Sequence, residues 1–249
     1  MKRIESAKND TVKELSKLHR KKERDRQQRF LVEGEHMVQE ALEAGLLETL
    51  FILDTHDIPD WVPEPASVIC TQPVLTRLSL QESDPWIIGA VRKPNCHIPA
   101  ALQRVLLLDD VQDPGNLGTL IRSACSFGIS AVYCTSHCAD PFGPKALQAS
   151  QGAIFHIPVL PCDPDTRIRE LKQDMPVFAA ALHHESIPLA DLKAPSRWAL
   201  VLGNEGQGIR EELIRLCTDT VYIEMDAFES LNVAVAGSIL MYYLRHQAI

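Results

Sequence analysis

The sequence has no C-x-x-C pair, no apolar run long enough to span a bilayer, no net positive charge and no internal repeat or low-complexity block. Each absence removes a class of protein. Seven cysteines, an odd number without a C-x-x-C pair, read as reduced and mostly buried thiols rather than a disulfide framework. CTSHC brings Cys134, His137 and Cys138 together, but no second ligand pair stands at matching spacing, so no metal is expected. His183 and His184 read as a loop pair. The longest mostly apolar stretch, LNVAVAGSILMYYL at 231–244, is too short to cross a membrane and carries Asn232, so a buried helix is expected there. The opening MKRIESAKND lacks an apolar signal core. Together these features lead us to expect a cytoplasmic protein with no membrane partner.

A net charge of −8 argues against a generic nucleic-acid binder, but the charge is unevenly distributed. Residues 1–30 hold eleven Lys or Arg against five Asp or Glu, whereas the remaining 219 residues hold fourteen against twenty-eight. The run HRKKERDRQQR at 19–29 is therefore a positive patch on an acidic body, as expected for contact with a polyanion such as RNA or DNA. The plainer reading is a solvated helix with internal pairs such as Glu23 with Arg26.

Residues 1–92 read as a small α/β unit. A helix is expected over 11–28, a strand at FLVEG, a helix ending at Gly45, strands at ETLFILD and ASVICT, a helix at QPVLTRLSL and a strand at PWIIGAVRK. Residues 93–103, KPNCHIPAALQ, have two prolines and little periodicity and read as a linker. Over 104–249 strands alternate with helices, beginning with RVLLLDD and closing on a long helix from Ser230. That alternation means βα units around a mostly parallel sheet. Ligands of such sheets bind beyond the carboxyl ends of the strands, which directs attention to three turns.

The first turn, DPGNLGTLIR, follows the strand VLLL. Asn116 lies near the helix start, where its side chain could accept backbone N–H groups. Arg122, six residues on, sits roughly 120° around the helix from Asn116 among core-like neighbours and calls for a partner, or else is a surface Arg in a salt bridge. The turn has neither G-x-G-x-x-G nor G-x-x-x-x-G-K-[ST]. The second turn, GNEGQG, has three glycines in six residues, which suits close approach of backbone to a ligand. It has no Lys, and Glu205 would repel phosphate, so a neutral or cationic ligand fits better than a nucleotide polyphosphate. In the third, ESLNVAVAG, Ser230 reads as the helix N-cap and Asn232 falls in the first turn. Ala234, Ala236 and Gly237 would let another helix approach closely, including one from a second subunit.

NLGTLIRSACSFG, LVLGNEGQG and IEM…SLNVAVAG, in this order and with ASQGAIFHIPV between the first two, resemble the motifs of the SpoU/TrmH branch of the SPOUT methyltransferases. Ala234 stands where relatives often have a second serine. The segment from Ala7 to Leu42 is similar to the small RNA-binding domain that precedes the catalytic domain in many members. The resemblance implies transfer of a methyl group from S-adenosylmethionine to a ribose 2′-hydroxyl of structured RNA, with rRNA favoured over tRNA. A non-catalytic RNA-binding or ribosome-assembly protein on the same fold is the alternative. It also implies a parallel α/β sheet with a C-terminal trefoil knot, and a homodimer formed through the catalytic domain. Knots are too rare for any pattern of residues to forecast one.

Residue by residue, the resemblance assigns Asn116, Arg122, Glu205, Ser230 and Asn232 to catalysis and Gly203, Ile223 and Leu231 to the cofactor. The counterpart of Arg122 is proposed in the family as a general base. A guanidinium with a pKa above about 12 is a poor base, so Arg122 is better assigned to stabilising the developing alkoxide and gripping a phosphate. Lys17, Arg20, Lys21, Arg24 and Arg29 are the expected phosphate contacts.

Overall fold

In the computed structural model, residues 1–80, 84–95, 98–182, 185–193, 195–226 and 230–246 are described. His183 and His184 lie outside them. The run Arg104–Leu108 has nothing polar to offer water after Arg104, and it forms β6 with Val105 to Leu108 fully buried. Its neighbour β11 (Trp198–Leu202) is equally apolar. A strand buried on both faces needs helices above and below, and this pair has them. Leu106, Leu108, Leu200 and Leu202 face α5 (Pro114–Ser126) and α9 (Val233–His246), while Val105, Leu107, Ala199 and Val201 face α7 (Pro164–Leu171) and α8 (Glu211–Ile214).

Around this pair stand β7 (Ala131–Cys134), β8 (Val159–Pro161), β9 (Val177–Ala180), β10 (Ile187–Pro188) and β12 (Asp219–Tyr222). The order is β10-β12-β9-β11-β6-β7-β8, and every pairing is parallel. All seven strands therefore point their carboxyl ends the same way, so the turns after β6, β11 and β12 share one edge of the sheet. On α5, Gly118 lets α6 (Pro144–Ser150) pack closely, because a Cβ there would lie 2.3 Å from the Ala146 carbonyl oxygen.

The N-terminal residues build a second sheet from β1 (Lys2–Ile4), β2 (Arg29–Glu33), β3 (Leu47–Leu53), β4 (Ser67–Cys70) and β5 (Ile87–Arg92), in the order β1-β4-β3-β5-β2. Its helices are α1 (Asp10–Ser16), α2 (Lys21–Gln27), α3 (Glu35–Glu43) and α4 (Gln72–Leu78). The two sheets share a core. Phe30 lies 5.0 Å from Phe142 and 6.0 Å from Phe155, ring centre to ring centre, and Lys93 sits over the Phe142 ring.

Two local expectations are corrected. The helix over 11–28 is broken: α1 runs into a short 3-10 turn, Lys17–His19, and Arg20 is extended at φ −99° and ψ 132°. No Gly or Pro marks the break. It is held by tertiary contacts that bury Leu18 and Arg24. The last helix begins at Val233 rather than Ser230. Its cap is Asn232, whose Oδ1 accepts from the backbone N–H of Ala234 at 2.9 Å and Val235 at 3.3 Å. β12 ends at Tyr222, so Ile223 lies just beyond it.

Candidate active site

Asp110, directly after β6 and Asp109, takes a left-handed conformation, φ 64°, which turns the chain toward the α5 entry. Asp113 caps that helix, accepting from the Asn116 N–H at 2.8 Å, with Pro114 in the first turn. Asn116 is therefore not the capping residue that the sequence suggested, and its side chain is free for other partners. Its Nδ2 donates to Glu205 Oε1 at 3.0 Å, and its Oδ1 accepts from Asn232 Nδ2 at 2.9 Å. One chain of hydrogen bonds thus joins the three turns: Asn232 from the third, Asn116 from the first, Glu205 from the second. Glu205 also accepts from the backbone N–H groups of Gln112 and Asp113, at 3.3 and 3.2 Å. Burial pushes the Glu205 carboxyl up, but the bonds from Asn116 and from backbone N–H groups outweigh it and hold the group below the usual carboxylate range. The site is anionic at neutral pH.

The GNEGQG turn closes on itself. Asn204 Oδ1 accepts from the backbone N–H groups of Gly206 and Gln207, at 2.9 and 3.0 Å, while Asn204 Nδ2 donates to the Asp110 carbonyl at 2.9 Å. Asn204 and Gly208 exchange backbone hydrogen bonds. A Cβ on Gly203 would stand 2.2 Å from the Gly208 carbonyl carbon. Glycine is required at that position by the turn's own backbone. Beneath the turn, Asp109 is fully buried and accepts from Arg210 Nη2 at 2.6 Å, Arg210 Nε at 3.1 Å and the Arg210 N–H at 3.2 Å. Sequence reasoning missed this clamp. Its signal was the acid at the end of an apolar strand.

A cavity of about 470 Å³ lies beside the turn, lined by Gly203 to Ile209, Ser230, Leu231 and the Ala180–Leu182 segment after β9. A smaller apolar pocket of about 130 Å³ adjoins it, lined by Ile223, Leu231 and Met225 among others. Gly203, Ile223, Leu231 and Ser230 are thus gathered at these pockets, and Ala180 to Leu182 are lining residues the sequence did not single out. Among the described residues no Lys or Arg lines either pocket, and Glu205 stands at the rim. This lining suits a cofactor with an apolar ring and a positive centre and does not suit a polyphosphate.

Arg122 is not brought into this cluster. It is exposed on α5 and makes no side-chain hydrogen bond or ion pair among the described residues. The core-like neighbours had suggested a partner, but the side chain faces outward, away from Leu120, Ile121 and Ala124, which are buried. In CTSHC, Cys134 and Cys138 are buried, while His137 is exposed and turns toward Asp110. Of the basic residues, Lys17, Arg20 and Lys21 are exposed and Arg29 is paired with Glu48 at 2.6 Å. Arg24 is the exception. Its side chain is 7% exposed and fully engaged by protein groups, so it is not available to a phosphate.

A parallel sheet with a cofactor-sized pocket at its carboxyl edge and a polar cluster beside it defines an α/β enzyme with a separate substrate-binding unit. Residues 103–242 match the SpoU rRNA Methylase family and residues 9–88 match the MRM3-like substrate binding domain. The chain is 39% identical to the 23S rRNA (guanosine(2553)-2′-O)-methyltransferase RlmP of Bacillus subtilis, over 98% of this chain and all of that one. It is similar to the S-adenosylmethionine-bound rRNA methyltransferase of Sinorhizobium meliloti, with TM-score 0.87, 26% identity and coverage of 100% and 98% of the two chains. It is also similar to the SpoU methyltransferase AviRb of Streptomyces viridochromogenes in complex with the same cofactor, with TM-score 0.85, 25% identity and coverage of 96% and 98%. The chain belongs to the SpoU rRNA methylase family. The enzyme class and the cofactor, S-adenosylmethionine, are those the sequence led us to expect.

Proposed function

We propose that the protein methylates a ribose 2′-hydroxyl of ribosomal RNA. The observation that carries this is the Asn232–Asn116–Glu205 chain of hydrogen bonds, which joins the three turns beside the cofactor pocket. Full-length similarity to a 23S rRNA enzyme favours rRNA over tRNA. Residues 1–92 bind the RNA, 93–103 link, and 104–249 catalyse.

When bound, S-adenosylmethionine supplies a methyl group on a sulfonium, already a strong electrophile. Gly203, Ile223 and Leu231 hold the cofactor, with Ala180–Leu182 completing the lining. The chain must then align the ribose oxygen, and alignment alone is worth roughly 7–11 kcal/mol. Asn116 orients the ribose, Glu205 holds Asn116, Ser230 hydrogen-bonds at the pocket mouth, and Asn232 ties the site to α9. Arg122 supplies positive charge to the developing alkoxide and to a neighbouring phosphate. Lys17, Arg20 and Lys21 grip phosphates away from the site.

The catalytic unit is a homodimer in the cytoplasm, and its C-terminal segment passes through a trefoil knot. The dimer is supported by an exposed apolar stripe on α9, Val235, Ile239 and Tyr242, at helical spacing and 49, 39 and 56% exposed. The knot rests on the resemblance of the three motifs to the SpoU/TrmH family.

Ribose-methylation mapping of total RNA from cells with and without the gene tests this reading. One rRNA position is expected to lose its methyl group. A change confined to tRNA would move the substrate. Unchanged maps with a ribosome-assembly defect would favour the non-catalytic alternative.

A further inference from the structure

Arg24 was expected on the RNA face, and the structure gives it a different place. Its Nε and Nη2 donate to Asp140 Oδ2 at 3.0 and 2.6 Å, and its Nη1 donates to the carbonyls of Leu18 and His19 at 2.7 and 3.0 Å. The Arg24 and Asp140 side chains are 7 and 11% exposed. The remaining carboxylate oxygen, Oδ1, accepts from the Phe142 N–H at 3.0 Å. Arg24 thus takes the carbonyls that the break at Arg20 releases and ties that bend to the segment after β7.

That segment is joined in turn to the first active-site turn. Thr135 Oγ1 accepts from the Asp110 N–H at 3.0 Å, Cys138 Sγ donates to the Leu108 carbonyl at 3.3 Å, and the Ala139 N–H donates to the Val111 carbonyl at 2.9 Å. A continuous polar path therefore runs from the basic bend, where Arg20 and Lys21 are exposed, to the turn after β6 that leads into α5 and Asn116. A buried ion pair is weak as a source of stability, since apolar side chains of similar volume often serve as well. Its directional geometry does fix register between the elements it joins. The apolar contacts of Phe30 with Phe142 and Phe155 can hold the two units together without that direction.

We propose that Arg24 and Asp140 are positioning residues: they set the distance between the phosphate-gripping bend and the Asn116 loop, so that RNA held at one presents its ribose at the other. This rests on the rRNA-methylation reading above.

The test compares the full-length wild type with Asp140→Asn and with the double variant Arg24→Met, Asp140→Leu, whose apolar pair preserves the buried volume. Three quantities are measured: methyl transfer to a 23S rRNA transcript, calorimetric affinity for S-adenosylmethionine, and the salt dependence of RNA binding. Both variants are expected to lose at least about tenfold in kcat, while cofactor affinity stays within about twofold and the salt slope is unchanged. Hydrogen exchange over 17–24 and 135–143 should rise while β6 and β11 stay protected. A salt slope shallower by about one charge would show that Arg24 touches phosphate after all and overturn the proposal. Unchanged kcat would also overturn it, as would loss of cofactor binding in both variants, since the pair would then merely hold the fold. If the wild type binds S-adenosylmethionine but methylates no rRNA, the functional reading fails. The exchange pattern still decides whether the pair couples the two units.

Discussion

Replacing Glu205 by Gln keeps the shape of the side chain and removes the charge that organises the site. Glu205 accepts three hydrogen bonds, from Asn116 Nδ2 and from the Gln112 and Asp113 N–H groups. All three partners are donors, so the amide NH2 of Gln must face at least one of them. Bonds to a charged acceptor are worth roughly 1.5–3 kcal/mol each when buried. Glu205 is exposed, and solvent screening brings the whole change in stability down to about 1 kcal/mol. A shift of that size lowers Tm by roughly 2–4 °C in a chain of this length. The effect on turnover is larger, because Asn116 loses the acceptor that orients it. We expect kcat to fall on the order of 10²-fold, the size seen when one oriented polar group is removed from an active site. Cofactor affinity should change little, since Asn204 holds the GNEGQG turn independently. The pH dependence gives a second readout. The folded carboxyl titrates below its unfolded value of about 4.3, so its stabilisation is complete above that pH and is lost as pH falls through the folded value. The Gln variant should lack this acid-side loss. Turnover within about threefold of wild type would remove Glu205 and its hold on Asn116 from the mechanism.

Arg122→Ala should abolish methyl transfer and leave S-adenosylmethionine binding intact, as read by a methylation assay beside calorimetry. Comparable turnover would take Arg122 out of catalysis. Neutralising Lys17, Arg20 and Lys21 together should flatten the salt dependence of RNA binding by about two to three charges, and an unchanged slope would mean that the patch is only a solvated face. Gly203→Ala should destroy cofactor binding, because the new Cβ would collide with the Gly208 backbone 2.2 Å away. Wild-type affinity in that variant would show that the turn can open without harm.

The strands were legible where burial on both faces leaves a continuous apolar run, as at β6 and β11. The three-residue β1 and two-residue β10 were not, since neither is long enough to show a period. At the site, the three turns could be found from glycine and Asn placement, but their partners could not. Sequence placed Asn116 and Ser230 as caps by local rules, whereas Asp113 and Asn232 take those roles. Both Asp113 and Asn116 are good capping residues, and only the long-range bonds to Glu205 and Asn232 decide between them. Arg24 shows the same limit more sharply. A run of basic residues reads as one surface, and nothing in HRKKERDRQQR marks the member that turns inward to meet Asp140, 116 positions away.

The position of Arg122 bears on the proposed dimer. In the proposed complex RNA would bring phosphate to both sides of its ribose, beside an Asn116 cluster that carries Glu205, Asp113 and Asp110. The nearest cation in that hydrogen-bonded network, Arg210, is already held by Asp109. A positive group must come from elsewhere. Arg122 adjoins Ser123, whose hydroxyl lies 2.7 Å from that of Ser238 on α9, so α5 and α9 are neighbours, and a second copy docked on the exposed stripe of α9 would lie near the Arg122 surface. In the proposed two-fold dimer both copies would present the same patch, which would let each Arg122 serve the site of its neighbour. Mixing decides this. Arg122→Ala chains and Glu205→Gln chains, each inactive alone, are co-expressed with different tags, and the mixed dimers are purified through both. If Arg122 acts across the interface, each mixed dimer carries one intact site and should show about half the wild-type rate. If it acts within its own chain, both sites of the mixed dimer are broken, and the rate should stay at the level of the separate variants. That second result would return Arg122 to its own subunit and require α5 or the RNA to move before the methyl group is transferred.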